Sequence, residues 1–142
     1  MRAASGRSEG DVTNDDRVTR PIVLLLEDDP LLAMSLSDYI EAAGCDVVEA
    51  RTTCEAIRIL EQRTDIRVVV GDLDTRGSVM GLELAALIRD RWPPIEMILT
   101  SSAPRPPRAT SMPARGVYFG KPFDGGAMVA AIRDFAGHAS AA

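Results

Sequence analysis

Apolar residues fall along this chain in five short runs, each closed by a polar or glycine-containing turn. The first, Ile22-Val23-Leu24-Leu25-Leu26, is continuous rather than alternating, which predicts a parallel strand covered on both faces. Pro30 then suits the first turn of a helix, where its missing N–H costs nothing. Leu32, Leu36, Tyr39, Ile40 and Ala43 follow at helical spacing, and Gly44 supplies the stop. Asp46-Val47-Val48-Glu49 predicts a short second strand, and Thr53 caps a helix that turns Ala56, Ile57 and Leu60 inward. Arg67 to Gly71 reads as a β-branched third strand. Leu84, Leu87, Ile88 and Arg91 or Trp92 mark a helix that Pro93-Pro94 ends. Ile95 to Leu99 and Val117 to Phe119 predict the last two strands. Asp124 caps a final helix whose inward face is Met128, Val129, Ile132, Phe135 and Ala136.

Strands that alternate with helices and are apolar along their length imply an α/β fold with a parallel sheet between two helical layers. Residues 1–20 mix Gly, Ser, Asp, Asn and Arg with no hydrophobic period and are expected to be a disordered leader; 21–136 form the domain, and 137–142 a disordered tail. The 142 residues suit one core and not two.

Composition narrows the chemistry. The net charge of −5 has the wrong sign for holding nucleic acid phosphates, so no direct nucleic acid binding is expected. No apolar run approaches the ~20 residues a membrane helix needs, and the N-terminus lacks a secretory h-region, so the expected compartment is the cytoplasm. Cys45 and Cys54 match no zinc spacing, and a lone His138 near the C-terminus argues against a histidine triad or a multi-histidine metal site.

In an open parallel sheet, ligands gather at the C-terminal ends of the strands. Those ends carry Glu27-Asp28-Asp29, Asp72-Leu73-Asp74, Thr100-Ser101-Ser102 and Lys121-Pro122. Acidic groups from two strands, a hydroxyl from a third and an ammonium from a fourth would converge on one rim. That set suits phosphoryl transfer to a carboxylate beside Mg2+, a cation that takes one or two protein carboxylates and keeps several waters. Clustered carboxylates raise one another's pKa, and a divalent cation relieves the repulsion. Each residue alone has an ordinary structural use, as a helix cap, a strand end or a solvated charge; their joint placement carries the argument.

On these residues the chain resembles the receiver domains of two-component response regulators. The markers are LLLEDDP at 24–30, VVVGDLD at 68–74, GLELAALIRD at 81–90, ILTSS at 98–102 and YFGKPF at 118–123, and the resemblance covers 21 to about 136. It implies a flavodoxin-like (βα)5 fold with sheet order 2-1-3-4-5. It further implies Asp72 as phosphoacceptor and metal ligand, Asp28 as a direct magnesium ligand, Glu27 acting through water, and the backbone carbonyl of Asp74 completing the set. Thr100 would be the switch hydroxyl, Lys121 its cationic partner, Pro122 the proline that often follows a cis bond, and Tyr118 the aromatic switch residue. Asp29 is not counted as a ligand. The implied partners are a sensor histidine kinase or a histidine phosphotransfer protein, with a homodimer left open. The receiver is expected to stand alone and to signal by protein contact or onward phosphorelay.

The pattern departs from the family in two places. Thr75-Arg76 stand where Met-Pro is common, and Gly77-Ser78-Val79-Met80-Gly81 is one residue longer than the usual form. After Thr100, Pro104, Pro106, Pro107 and Pro113 interrupt the segment that should hold the fourth helix, so that helix is expected to be short or absent, and Arg105, Arg108 and Arg115 make the segment basic. Asp74 would tune the attack of water on a phosphoaspartate. Two alternatives stand beside the switch: a degenerate receiver that only binds partners, and a haloacid-dehalogenase-like phosphatase using the Asp72-Leu73-Asp74 motif. Against the phosphatase, Arg76 stands where that motif wants Thr or Val.

Overall fold

The computed structural model describes residues 20–73, 81–102 and 116–141, with backbone only at 81–83 and 138–141. Five strands, β1 (Ile22–Leu26), β2 (Asp46–Ala50), β3 (Ile66–Asp72), β4 (Glu96–Ser101) and β5 (Val117–Gly120), form one sheet of order β2-β1-β3-β4-β5. All four pairings are parallel. Among the described residues four helices accompany them: α1 (Pro30–Ala42), α2 (Thr53–Gln62), α3 (Gly81–Arg91) and α4 (Gly125–Ala141). This is the flavodoxin-like arrangement that the resemblance to receiver domains implies, and the strand pattern's parallel sheet between helical layers is part of it. The order reverses at β1 and β3, which makes their C-terminal ends the crevice of the sheet. Residues 103–115, where a short or absent fourth helix is expected, lie outside the described residues, as do the 74–80 loop and residues 1–19.

The sheet divides the core in two. On one face Val23, Leu25, Val68, Val70 and Ile98 pack with Leu36 and Ile40 of α1 and Met128, Ile132 and Phe135 of α4. On the other, Leu24, Leu26, Val69, Met97 and Leu99 pack with Ala56 and Leu60 of α2 and Leu84 and Ile88 of α3. Both faces of β1, β3 and β4 are thus covered, which is why those strands are apolar at successive positions.

Local chemistry sets the helix ends. Asp29 is the N-cap of α1, its Oδ1 accepting the Leu31 N–H at 3.0 Å, with Pro30 in the first turn. Gly44 follows the C-cap with φ of +87°, a left-handed conformation that favours glycine. The cap of α2 is Thr52, not Thr53: Thr52 Oγ1 accepts the Glu55 N–H at 3.1 Å, and Glu55 Oε1 accepts the Arg51 N–H at 2.9 Å. Asp124 caps α4 through Ala127 N–H. Arg20 is already tied to the domain, its Nε 2.9 Å from Asp46 Oδ1 and its Nη2 donating to the Cys45 carbonyl. Helix α4 runs to Ala141.

Candidate functional site

Strand parity places the site. On β1, Val23 and Leu25 face the α1/α4 layer, so two residues further Glu27 falls on that side; on β3, Val68 and Val70 lead to Asp72. On β4, Ile98 leads to Thr100, and on β5, Val117 and Phe119 lead to Lys121. The register aligns these ends. Leu26 is opposite Gly71, Asp72 opposite Thr100, and Thr100 opposite Phe119. Four chemically active side chains from four strands therefore project from one face at one end. A slip of one residue in any strand would send its member to the opposite face.

The acidic part forms at the mouth of the crevice. Glu27, Asp28 and Asp72 each offer an oxygen, and these oxygens lie within 4.8 Å of one another. Glu27 and Asp72 are buried and Asp28 is half-buried. Glu27 Oε2 accepts the Asp29 N–H at 3.0 Å, while its Oε1 is buried with no hydrogen-bond partner among the described residues. Burial pushes the Glu27 carboxyl up to about 8 from an ordinary 4.5. Hydrogen bonding to the Asp72 side chain and repulsion by its charge act in the same direction, against the Asp29 N–H and the Lys121 charge. An unpartnered oxygen beside two further carboxylates, all hard oxygen donors, is the arrangement a small divalent cation would complete. These residues fit magnesium.

The cationic part faces it. Lys121 Nζ lies 2.9 Å from Asp72 Oδ1, with the lysine side chain 19% exposed and the aspartate 2%. Thr100 Oγ1 is 3.4 Å from the same oxygen, a long contact for an O–H donor. The Lys121 N–H donates to the Ser101 carbonyl at 2.8 Å, the Lys121–Pro122 peptide is cis, and Leu73 N–H donates to Thr100 carbonyl, so the backbone ladder continues up to the site.

The structure thus brings together Glu27, Asp28, Asp72, Thr100 and Lys121. Tyr118 is half-buried in β5, out of phase with Lys121. Asp74, whose carbonyl is the expected fourth metal contact, lies outside the described residues. The work of Asp29 went unread in the sequence: its carboxylate is committed to capping α1 and its N–H orients Glu27. The signal was available, since an aspartate directly before a proline at a helix start is a cap signature.

Comparison with known proteins agrees with this geometry. The family model described as the response regulator receiver domain matches residues 23–133. Among solved structures, a response regulator receiver protein from Sinorhizobium medicae aligns with a TM-score of 0.76 at 20% identity, covering 84% of this chain and 97% of that one. The signal receiver domain of an HD domain-containing protein from Pseudomonas fluorescens gives 0.74 at 21% identity, with 87% and 99% covered. A response regulator receiver protein from Pseudomonas putida gives 0.69 at 27% identity, with 81% and 97% covered. No curated protein matches the chain. With the family match spanning most of its length and its fold shared with solved receiver domains, the chain belongs to the response regulator receiver domains.

Proposed function

We propose that this receiver accepts a phosphoryl group on Asp72 from a phosphohistidine of a sensor kinase or phosphotransfer protein, and signals through protein contacts or onward phosphorelay. The observation that supports it best is the pairing of buried Asp72 with Lys121 at 2.9 Å, opposite two further carboxylates. In the transfer, an Asp72 carboxylate oxygen forms a bond to phosphorus as the bond from phosphorus to the donor's imidazole nitrogen breaks. The nitrogen keeps the electron pair, and the product is an acyl phosphate. Lys121 offsets charge on the equatorial oxygens, and the Thr100 hydroxyl donates to one of them. Glu27, Asp28, Asp72 and the Asp74 carbonyl would hold Mg2+, which supplies the charge neutralisation that lets two anions approach. In this reading Thr100 and Tyr118 carry the switch.

No helix among the described residues is long and apolar enough to cross a membrane, and a cytoplasmic location is part of the proposal. The family match favours this reading over a dehalogenase-type phosphatase, and the assembled Asp72, Thr100 and Lys121 favour it over a degenerate receiver.

Incubation with acetyl phosphate and magnesium, followed by intact mass, tests the proposal. One phosphoryl adduct is expected, lost in Asp72→Asn and in EDTA. A wild-type protein that takes up no phosphoryl group, or an Asp72→Asn variant that still does, would refute it.

A further inference from the structure

We propose that Tyr39 is a positioning residue for Lys121: its ring, seated over Gly125, braces the turn between β5 and α4 against helix α1 and so keeps the ammonium on Asp72. The inference rests on the phosphoacceptor reading above.

Three observations carry it. A Cβ built on Gly125 would lie 2.8 Å from Cε1, Cζ and the hydroxyl oxygen of Tyr39, too close for any side chain unless the ring moved. Glycine is needed here for space, because Tyr39 occupies the volume a side chain would take. Next, Tyr39 meets Phe123 edge-on, with ring centroids 6.4 Å apart and planes at 68°, and Phe123 meets Phe119 edge-on at 6.0 Å and 86°. Phe119 and Phe123 stand two residues before and two after Lys121, so the line of rings fixes the backbone on both sides of it. Finally, α1 starts at Pro30, directly after the acidic turn, and α4 is tied to its far end by Arg133 Nη2, which donates to the Ala42 carbonyl at 3.1 Å.

The stem of a lysine is flexible, so where its ammonium sits depends on where the backbone is held. Tyr39 sets that backbone relative to the helix that follows Glu27 and Asp28. The metal-side residues lie on or just after β1 and β3, apart from this aromatic line. Removing the ring therefore loosens the lysine without weakening the hold on the cation, since Asp72 would only lose a competing ammonium.

The test is the rate of Asp72 labelling by acetyl phosphate in saturating magnesium, measured for Tyr39→Phe and Tyr39→Ala with Lys121 present and in a Lys121→Ala background. Magnesium affinity is followed by calorimetry. Tyr39→Phe should label like wild type. Tyr39→Ala should slow labelling by about ten- to a hundredfold, the scale of a small misplacement of a reacting partner, with magnesium affinity no weaker. With Lys121→Ala in place, Tyr39→Ala should add nothing, since two residues that act through one contact are not additive. Equal slowing with and without Lys121, or no slowing at all, overturns the inference. Where Tyr39→Ala does not fold, Tyr39→Leu keeps the bulk without the ring and carries the same expectation. Failure of the wild type to label is a separate result, which removes the phosphoacceptor reading itself.

Discussion

Replacing Glu27 by Gln should make the metal-free protein more stable near neutral pH while weakening its hold on magnesium. Glu27 is 3% exposed, and one of its oxygens has no partner. Glutamine keeps the shape, can still accept the Asp29 N–H, and brings an amide that can donate toward Asp72. Because burial and the Asp72 carboxyl push the Glu27 pKa from 4.5 up to about 8, the folded state binds this proton more tightly than the unfolded chain does. The stability tied to it is therefore complete below about 4.5 and lost as pH rises toward about 8. At pH 7.5 three pH units separate the medium from the unfolded value, and at 1.36 kcal/mol per unit this is at most about 4 kcal/mol. The crevice is open to water at its rim, so about half of that is expected, roughly 2 kcal/mol. Urea denaturation in EDTA, followed by circular dichroism at pH 4.5 and 7.5, measures it. The variant should lead at the higher pH and draw level at the lower. Millimolar magnesium should reverse the order at pH 7.5, because binding to the native state adds stability and the wild type has the better ligand set. A variant less stable than wild type in EDTA at pH 7.5, or a gap that ignores pH, would refute the reasoning.

Other outcomes follow from single positions. Gly44→Ala should cost about 1–2 kcal/mol in chemical denaturation, all of it conformational, since φ is +87° and no atom lies within 4 Å of the added methyl. Ile132→Ala, fully buried between α4 and the sheet, should cost about 2–5 kcal/mol in the same assay. Thr100→Ala should slow labelling by acetyl phosphate roughly tenfold or more yet shift metal-free stability by less than about 1 kcal/mol, because its contact with Asp72 is 3.4 Å long.

Strand identity was legible wherever the apolar run was continuous, as in β1 and β3, because burial on both faces leaves no polar position to confuse the pattern. Ends were harder to read. Thr100 and Ser101 look like a polar exit from β4, yet both are buried in the strand, since β-branched threonine fits a pleated ladder and its hydroxyl meets Asp72. Thr53 was read as the cap of α2 where Thr52 does that work; Glu55, three residues after Thr52, was the decisive partner. The convergence of Glu27, Asp72, Thr100 and Lys121 follows from strand parity and was anticipated from strand ends alone. The capping role of Asp29 was not, because it depends on which carboxylate the helix start claims. The Tyr39–Gly125 contact was equally hidden: nothing local to either residue reports the other, and only the packing of α1 on α4 joins them.

The parity of the strands also frees one end of the molecule. Each reactive group sits within a residue or two of a hydrogen-bonded ladder, so its location is inherited from the sheet and owes nothing to the exposed turns at the opposite pole around Thr64-Asp65 and Pro93-Pro94. Those turns are the natural places to splice in a reporter or a tether.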